Sequence, residues 1–178
     1  MSLFLATLLT GLALLALGGL LLWNGKPVGA VARDFPRSQR AAVVFMGISS
    51  VWFLYHITQL GDADFGDFRR PLFIGFAAVA ILSFRYARDF LAVRGVCIFF
   101  LLVAAVLLNA AFMQEPASRL FLVTFAYAGI FLSLYLAASP FRLRDFIYWL
   151  FRNEKRPKVL GGIFFGYGLI LNLAAFTY

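Results

Sequence analysis

The side chains with the most potential for chemistry lie in one stretch, from Ser49 to Arg70. It contains the only histidine of the chain, and Ser49, Trp52, His56 and Gln59 recur at intervals of three, four and three residues. On a helix, this spacing places them on one face. Histidine changes charge near neutral pH, so His56 is a candidate proton acceptor, metal or haem ligand, or substrate contact. The structural alternative is a hydrogen bond from His56 across a helix interface.

Three aspartates, Asp62, Asp64 and Asp67, follow this helix directly. Their spacing resembles a calcium loop, but Gly66 and Phe73 occupy two positions that the EF-hand pattern gives to ligands. A zinc site at His56 would need three further ligands, and only aspartates are near. The pattern therefore predicts a solvated acidic loop at the outer surface, with weak divalent-cation binding as the alternative, and no metal or catalytic site.

Other predicted helices carry single polar side chains at a depth similar to that of His56. Polar groups at membrane depth tend to face the interior of a helix bundle or a water-filled cavity. The sequence therefore predicts either an outward-opening pocket or a polar packing layer. Its candidate residues are Trp52, Tyr55, His56, Gln59, Asn109, Thr124 and Asn172.

The elements that position these residues are membrane helices. Of the 178 residues, 63% are hydrophobic and 13% are charged, against roughly 45–50% and about 25% in soluble domains. Apolar runs long enough to cross a bilayer predict an all-α integral membrane protein with six transmembrane helices in a single domain, 1–178. The helices are predicted at 3–23, 41–60, 71–87, 95–113, 119–138 and 159–178.

The segment 140–152 differs from the other connections because it is amphipathic. Leu143, Phe146, Ile147 and Leu150 form an apolar face when the segment is helical. It predicts a short interfacial helix between helices five and six. We expect a connector that anchors the topology; lipid sensing or partner docking is the alternative.

The basic residues predict the topology. The net charge is +8, and 13 of the 16 Lys and Arg residues lie in the first, third and fifth connections. Basic loops are retained in the cytoplasm, so both termini and the acidic loop are predicted outside a bacterial-type cytoplasmic membrane. The distribution of the charge over short loops indicates membrane topology and no nucleic-acid partner.

The tripeptide Arg-Asp-Phe occurs three times, beginning at Arg33, Arg88 and Arg144, each time in a predicted cytoplasmic connection. The spacings of 55 and 56 residues favour a threefold internal repeat. The repeat would consist of three helical hairpins, formed by helices one and two, three and four, and five and six. The alternative is three unrelated turns, each with an interfacial Arg and Phe.

Gly162 and Gly166 form a GxxxG pair in the sixth predicted helix. Small residues at this spacing let two membrane helices approach closely. We expect the pair to pack against another helix of the same chain. Self-association, or docking against another subunit, is the alternative.

The sequence predicts no catalytic constellation. It contains no Walker loop, GxSxG, HExxH or pair of intramembrane carboxylates, and no motif in it indicates which cofactor, if any, would bind. We therefore expect a non-enzymatic accessory or scaffold subunit of a membrane complex, or a homo-oligomer, with membrane lipids and other membrane subunits as partners. One alternative is a small-solute or ion transporter or channel. The other is a subunit that handles quinone or lipid.

Overall fold

A computed structural model describes residues 1–23, 26–61, 65–87 and 89–178, without the side chains of residues 26 and 27. These residues form helices and no strands, which confirms the prediction of an all-α protein. Short 3₁₀ helices at Phe35–Arg37 and Gly66–Phe68 accompany the α-helices. The α-helices are α1 (Leu3–Trp23), α2 (Lys26–Asp34), α3 (Gln39–Thr58), α4 (Arg69–Tyr86), α5 (Leu91–Ala111), α6 (Arg119–Ala138), α7 (Phe141–Leu150) and α8 (Lys155–Ala175).

Five of these helices, α1, α3, α5, α6 and α8, are long and apolar enough to cross a membrane. Each has 20 or 21 residues, which matches the thickness of a bilayer core. The remaining long helix, α4, has 18 residues and carries Arg69, Arg70 and Arg85 near its ends. Five apolar helices of this length are typical of a polytopic membrane protein.

The most extensive packing in the described chain joins the first and last helices, α1 and α8. A Cβ atom on Gly18 would lie 2.8 Å from the main-chain oxygen of Gly161, and one on Gly168 would lie 2.9 Å from that of Gly11. Residues early in α1 meet residues late in α8, so the helices are antiparallel. The two glycines of α1 are seven residues apart, as are the two of α8, and together they let the two backbones touch.

The central helix is α5, which packs against both α3 and α6. A Cβ atom on Gly95 of α5 would lie 2.7 Å from the main-chain nitrogen of Met46 in α3. Further along, Phe99 meets Trp52 edge to face, with ring centroids 5.9 Å apart. Residue numbers rise together along this contact, so α3 and α5 are parallel.

This packing corrects the predicted pairing of helices into sequential hairpins. The main contact of α1 is with α8 instead of α3, and α5 packs on α3 and α6 instead of α4. The reason is steric, because the glycines that permit close approach in α1 match those in α8. Sequential order alone does not determine which helices become neighbours.

The bundle has two chemically different ends. At one, which we call the terminal end, the ring centroids of Phe4 and Phe176 are 5.9 Å apart. The hydroxyl oxygens of Ser118 and Thr177, at the same end, are 2.8 Å apart. At the other, the basic end, Arg37 and Arg144 both lie over the ring of Phe90, and Arg33 donates a hydrogen bond to the main-chain oxygen of Phe151. The loops predicted to share a membrane side therefore lie at the same end of the bundle.

The connection between α1 and α3, predicted as a loop, contains the helix α2. Val28, Val31 and Ala32 of α2 line one cavity, while Arg33 and Asp34 are exposed. This amphipathic pattern was obscured in the sequence by Pro27 and the neighbouring glycines. Pro27 is tolerated because a first-turn residue needs no helical hydrogen bond from its nitrogen.

The three Arg-Asp-Phe segments have three different local structures, so the threefold repeat is not confirmed. Phe35 begins a 3₁₀ helix, Phe90 precedes α5 with a left-handed φ of 59°, and Phe146 lies within α7. Arg88 of the second copy lies outside the described residues. The second and third segments nevertheless meet, because the guanidinium carbon of Arg144 lies 5.8 Å from the ring centroid of Phe90. That of Arg37, two residues after the first segment, lies 5.7 Å from the same centroid.

Candidate functional site

The face of α3 predicted to carry chemistry is built on a capped, apolar helix. Ser38 precedes α3, and its Oγ accepts a hydrogen bond from the main-chain nitrogen of Ala41 at 3.2 Å. Ser49 is completely buried and donates a hydrogen bond to the main-chain oxygen of Gly95 at 3.1 Å. This side chain therefore joins α3 to α5, which is a structural role.

The next members of this face become steadily more exposed toward the terminal end. Trp52 is half-buried, and its ring stacks on that of His56 with centroids 6.3 Å apart. Tyr55 is 60% exposed, and His56 and Gln59 are also exposed. The described side-chain contacts of His56 are aromatic, from Trp52 and Tyr55. His56 thus lies at the surface of the bundle beside Trp52.

The other predicted polar residues do not join His56 in one described cluster. Asn109 and Thr124 are exposed on α5 and α6. Asn172 lies in the α1–α8 contact, where its Nδ2 donates to the main-chain oxygen of Gly168 at 2.8 Å and its side chain lies against Gly11. The described hydrogen bonds link none of these three side chains to His56. The polar layer and the transport hypothesis built on it stay predictions.

Of the acidic loop, the structure describes only Asp67, which is exposed in the 3₁₀ helix Gly66–Phe68. Asp62 and Asp64 lie outside the described residues. Among the residues that are described, no three His, Cys, Asp or Glu side chains come together. The prediction of a solvated acidic loop, and the alternative of weak divalent-cation binding, are therefore untested.

Gly162 and Gly166 lie on a different side of α8 from the glycines that touch α1. A Cβ atom on either would meet no described atom within 4 Å, whereas Gly161 and Gly168 lie against the α1 backbone. The pair thus does not provide the predicted packing inside this chain. The matching spacing of seven residues, in Gly11 and Gly18 and again in Gly161 and Gly168, is the sequence signal that could have identified the interface.

The predicted site borders one apolar groove, which we call the outer groove. It has a volume of about 460 Å³ and lies between α1, α3, α5 and α6. Trp52, Phe99 and Phe125 line it, together with Leu9 and Thr10 of α1. The hydroxyl of Thr10 donates to the main-chain oxygen of Ala6 at 2.7 Å, so it is already satisfied. This groove is suited to an apolar molecule or chain segment.

A second opening separates α3 from α4. Its volume is about 300 Å³, and Ser50, Phe53, Phe76 and Val79 are among the residues that line it. Phe53 and Phe76 meet edge to face with ring centroids 5.0 Å apart. The α3–α4 contact is therefore looser than the glycine-lined contact of α1 with α8.

Five helices that are long and apolar enough to span a membrane are the features expected of a polytopic α-helical membrane protein. Comparison of the chain with family models, curated proteins and solved structures found no match.

Proposed function

We propose that this protein is a non-enzymatic six-helix membrane subunit that acts by associating with other membrane helices, as an accessory or scaffold subunit or as a homo-oligomer. The observation that carries this proposal is the position of α4. Among the described helices, α4 packs substantially only against α3, apart from the 3₁₀ helix that precedes it. None of its residues is fully buried. A whole helix is thus available to a neighbour in the membrane plane.

The parallel packing of α3 and α5 supports a sixth span. Two parallel neighbours need a connection that returns along their full length, and α4 is the described helix between them in sequence. Its 18 residues extend roughly 27 Å at 1.5 Å per residue, close to the ~30 Å of a bilayer core. Arg69, Arg70 and Arg85 lie near its ends, where long basic side chains can reach the membrane surface.

The charge distribution supports a topology with the basic end in the cytoplasm and both termini outside. Thirteen of the sixteen basic residues belong to the first, third and fifth predicted connections. Lys and Arg in short loops are retained on the cytoplasmic side. A bacterial-type cytoplasmic membrane is the setting that this proposal assumes.

The exposed face of α4 is apolar along its length. Ile74 is 68% exposed, Ile81 is 72% exposed, and a Cβ atom on Gly75 between them would meet none of the described residues within 4 Å. Apolar side chains alone would be compatible with lipid. Because the contact with α3 is loose, α4 gains little packing from its own chain. A partner helix would supply the van der Waals contacts that stabilise membrane helices.

A second candidate function is the handling of quinone or lipid at the outer groove. Trp52 lines this groove of about 460 Å³, and the ring of His56 stacks on Trp52. An apolar tail would occupy the groove, and a polar headgroup would meet His56. A quinone or lipid that copurifies with the protein, and is lost from Trp52→Ala, would favour this function over association alone.

Photo-crosslinking tests the association. A benzophenone amino acid at position 81 is expected to attach a polypeptide in intact membranes, because Ile81 faces away from the chain on α4. The same amino acid at position 173 is the control, since Leu173 of α8 is 70% exposed on another part of the surface. Equal polypeptide crosslinking from both positions, or none from position 81, would contradict the assignment of α4.

A further inference from the structure

An open-sided cavity lies at the basic end of the bundle, in a part of the molecule separate from α4. Its volume is about 540 Å³, within the range of roughly 300–1,000 Å³ that small-molecule sites occupy. It is formed by the second half of α1 together with the amphipathic helices α2 and α7. We call it the interfacial cavity, and its apolar lining includes Leu17, Leu21, Val28, Val31, Ile147 and Leu150.

An arginine marks the rim of the interfacial cavity. Nη2 of Arg33, on α2, donates a hydrogen bond to the main-chain oxygen of Phe151 at 3.1 Å. Phe151 lines the cavity directly after α7, so this contact joins the two amphipathic helices across it. A carbonyl partner is uncharged, and the contact therefore leaves the positive charge of Arg33 in place. Arg152, the next residue along the chain, is also exposed.

The segments that flank the cavity carry most of the net charge of the protein. Residues 26–40 contain four basic and one acidic residue, and residues 140–158 contain six basic and two acidic residues. Together they contribute +7 of the total of +8. The apolar cavity thus lies beside two segments that each carry a net positive charge.

We propose that the interfacial cavity binds an anionic phospholipid. One acyl chain lies against the apolar lining, and the phosphate-bearing headgroup lies beside Arg33 and Arg152. A guanidinium matches the geometry of a phosphate, and basic pockets at this membrane level suit anionic headgroups. A peptide would leave its main-chain polar groups without partners in such a lining, whereas an acyl chain has none to satisfy.

Lipid retention by the purified full-length protein tests this proposal. Native mass spectrometry after exchange into mixed phosphatidylglycerol and phosphatidylcholine is expected to show preferential retention of phosphatidylglycerol. Removing one positive charge near an anionic headgroup costs about 1 kcal/mol, or roughly fivefold in affinity. Arg33→Gln is expected to lower the preference about fivefold, and Arg33→Gln with Arg152→Gln about 25-fold. Arg33→Lys keeps the charge and is expected to retain most of the preference.

Two further variants separate this site from general charge attraction. Arg85→Gln removes a basic residue of α4, a helix with no residue among those that line the cavity, and it is expected to leave the preference unchanged. Val31→Trp keeps every charge but fills the cavity at a side chain that is 70% exposed, so phosphatidylglycerol retention is expected to fall while the thermal midpoint is kept.

The proposal would be overturned by equal retention of the two lipids, or by equal losses in Arg33→Gln and Arg85→Gln. Unchanged retention of phosphatidylglycerol by Val31→Trp would show that the cavity does not hold the acyl chain. Inorganic phosphate that displaces the lipid at equal concentration would identify a free-anion site instead. These outcomes do not depend on whether α4 binds a partner, since the measurement uses the purified chain alone.

Discussion

Replacing Gly18 with leucine is expected to separate α1 from α8 and to lower the thermal midpoint of the purified protein by about 10 °C. A Cβ atom at this position would lie 2.6 Å from the main-chain nitrogen of Phe165 and 2.8 Å from the main-chain oxygen of Gly161. These are backbone atoms of a helix, so they cannot rotate away as a flexible side chain would. The two helices must therefore move apart.

The size of the effect follows from the kind of contact that is lost. Overpacking of a close contact typically costs about 1–3 kcal/mol, and this is the most extensive helix contact of the described chain. In a protein of this length, 1 kcal/mol corresponds to roughly 2–4 °C in the midpoint, so a cost near 3 kcal/mol gives about 10 °C. Helix association in a bilayer depends on van der Waals packing. Burying the added leucine side chain therefore does not offset the loss of the close helix contact.

The chain offers matched controls one residue away. In the described part of the chain, a Cβ atom on Gly19 or on Gly162 would meet nothing within 4 Å, whereas those on Gly18 and Gly161 meet backbone atoms. Leucine at position 19 or 162 is thus expected to leave the midpoint within a few degrees of the parent. Similar losses from Gly18→Leu and Gly19→Leu would show that α1 and α8 do not pack through this glycine face.

Replacing Gly95 with leucine is expected to displace α3, together with α4, from the rest of the bundle. A Cβ atom on Gly95 would lie 2.7 Å from the main-chain nitrogen of Met46, and the buried hydroxyl of Ser49 donates to the Gly95 oxygen. We expect a cost of about 3 kcal/mol from overpacking. Losing the hydrogen bond adds about 0.6 kcal/mol, the average for such bonds between membrane helices.

Hydrogen exchange with mass spectrometry distinguishes this local displacement from global unfolding. Amides of α3 and α4 in Gly95→Leu are expected to exchange faster, while those of α1 and α8 keep their protection, because the α1–α8 contact is intact. Gly47→Leu is the control, since a Cβ atom on Gly47 of α3 would meet nothing within 4 Å. Uniformly faster exchange in all helices would contradict a separable α3–α4 unit.

The all-α membrane architecture could be predicted because length and apolarity are properties of single segments. The run from Leu3 to Trp23 is long and apolar whatever it packs against, and the same holds for α6. The helix α2 was missed because its signal is weaker: it has nine residues and Pro27 in its first turn. Its stability depends on contacts with α7 and the following 3₁₀ helix, which no local pattern reveals.

The candidate site was less predictable, since a sequence indicates the depth of a residue in a membrane helix but not the direction in which it points. His56, Asn109 and Asn172 were grouped by depth. Rotation about each helix axis, set by the neighbouring helices, turns Asn172 toward Gly11 and leaves His56 and Asn109 exposed. The same rotation turns Gly161, and not Gly162, toward α1.

Association of this chain with other membrane helices is tested by the mass of the particle that contains it after isolation from its own membranes without detergent. Extraction in polymer-bounded discs followed by native mass spectrometry reports every polypeptide retained with the 19.9 kDa chain. We expect a stoichiometric complex that contains either further subunits or further copies of the chain. A single 19.9 kDa chain as the only protein in every disc would contradict it.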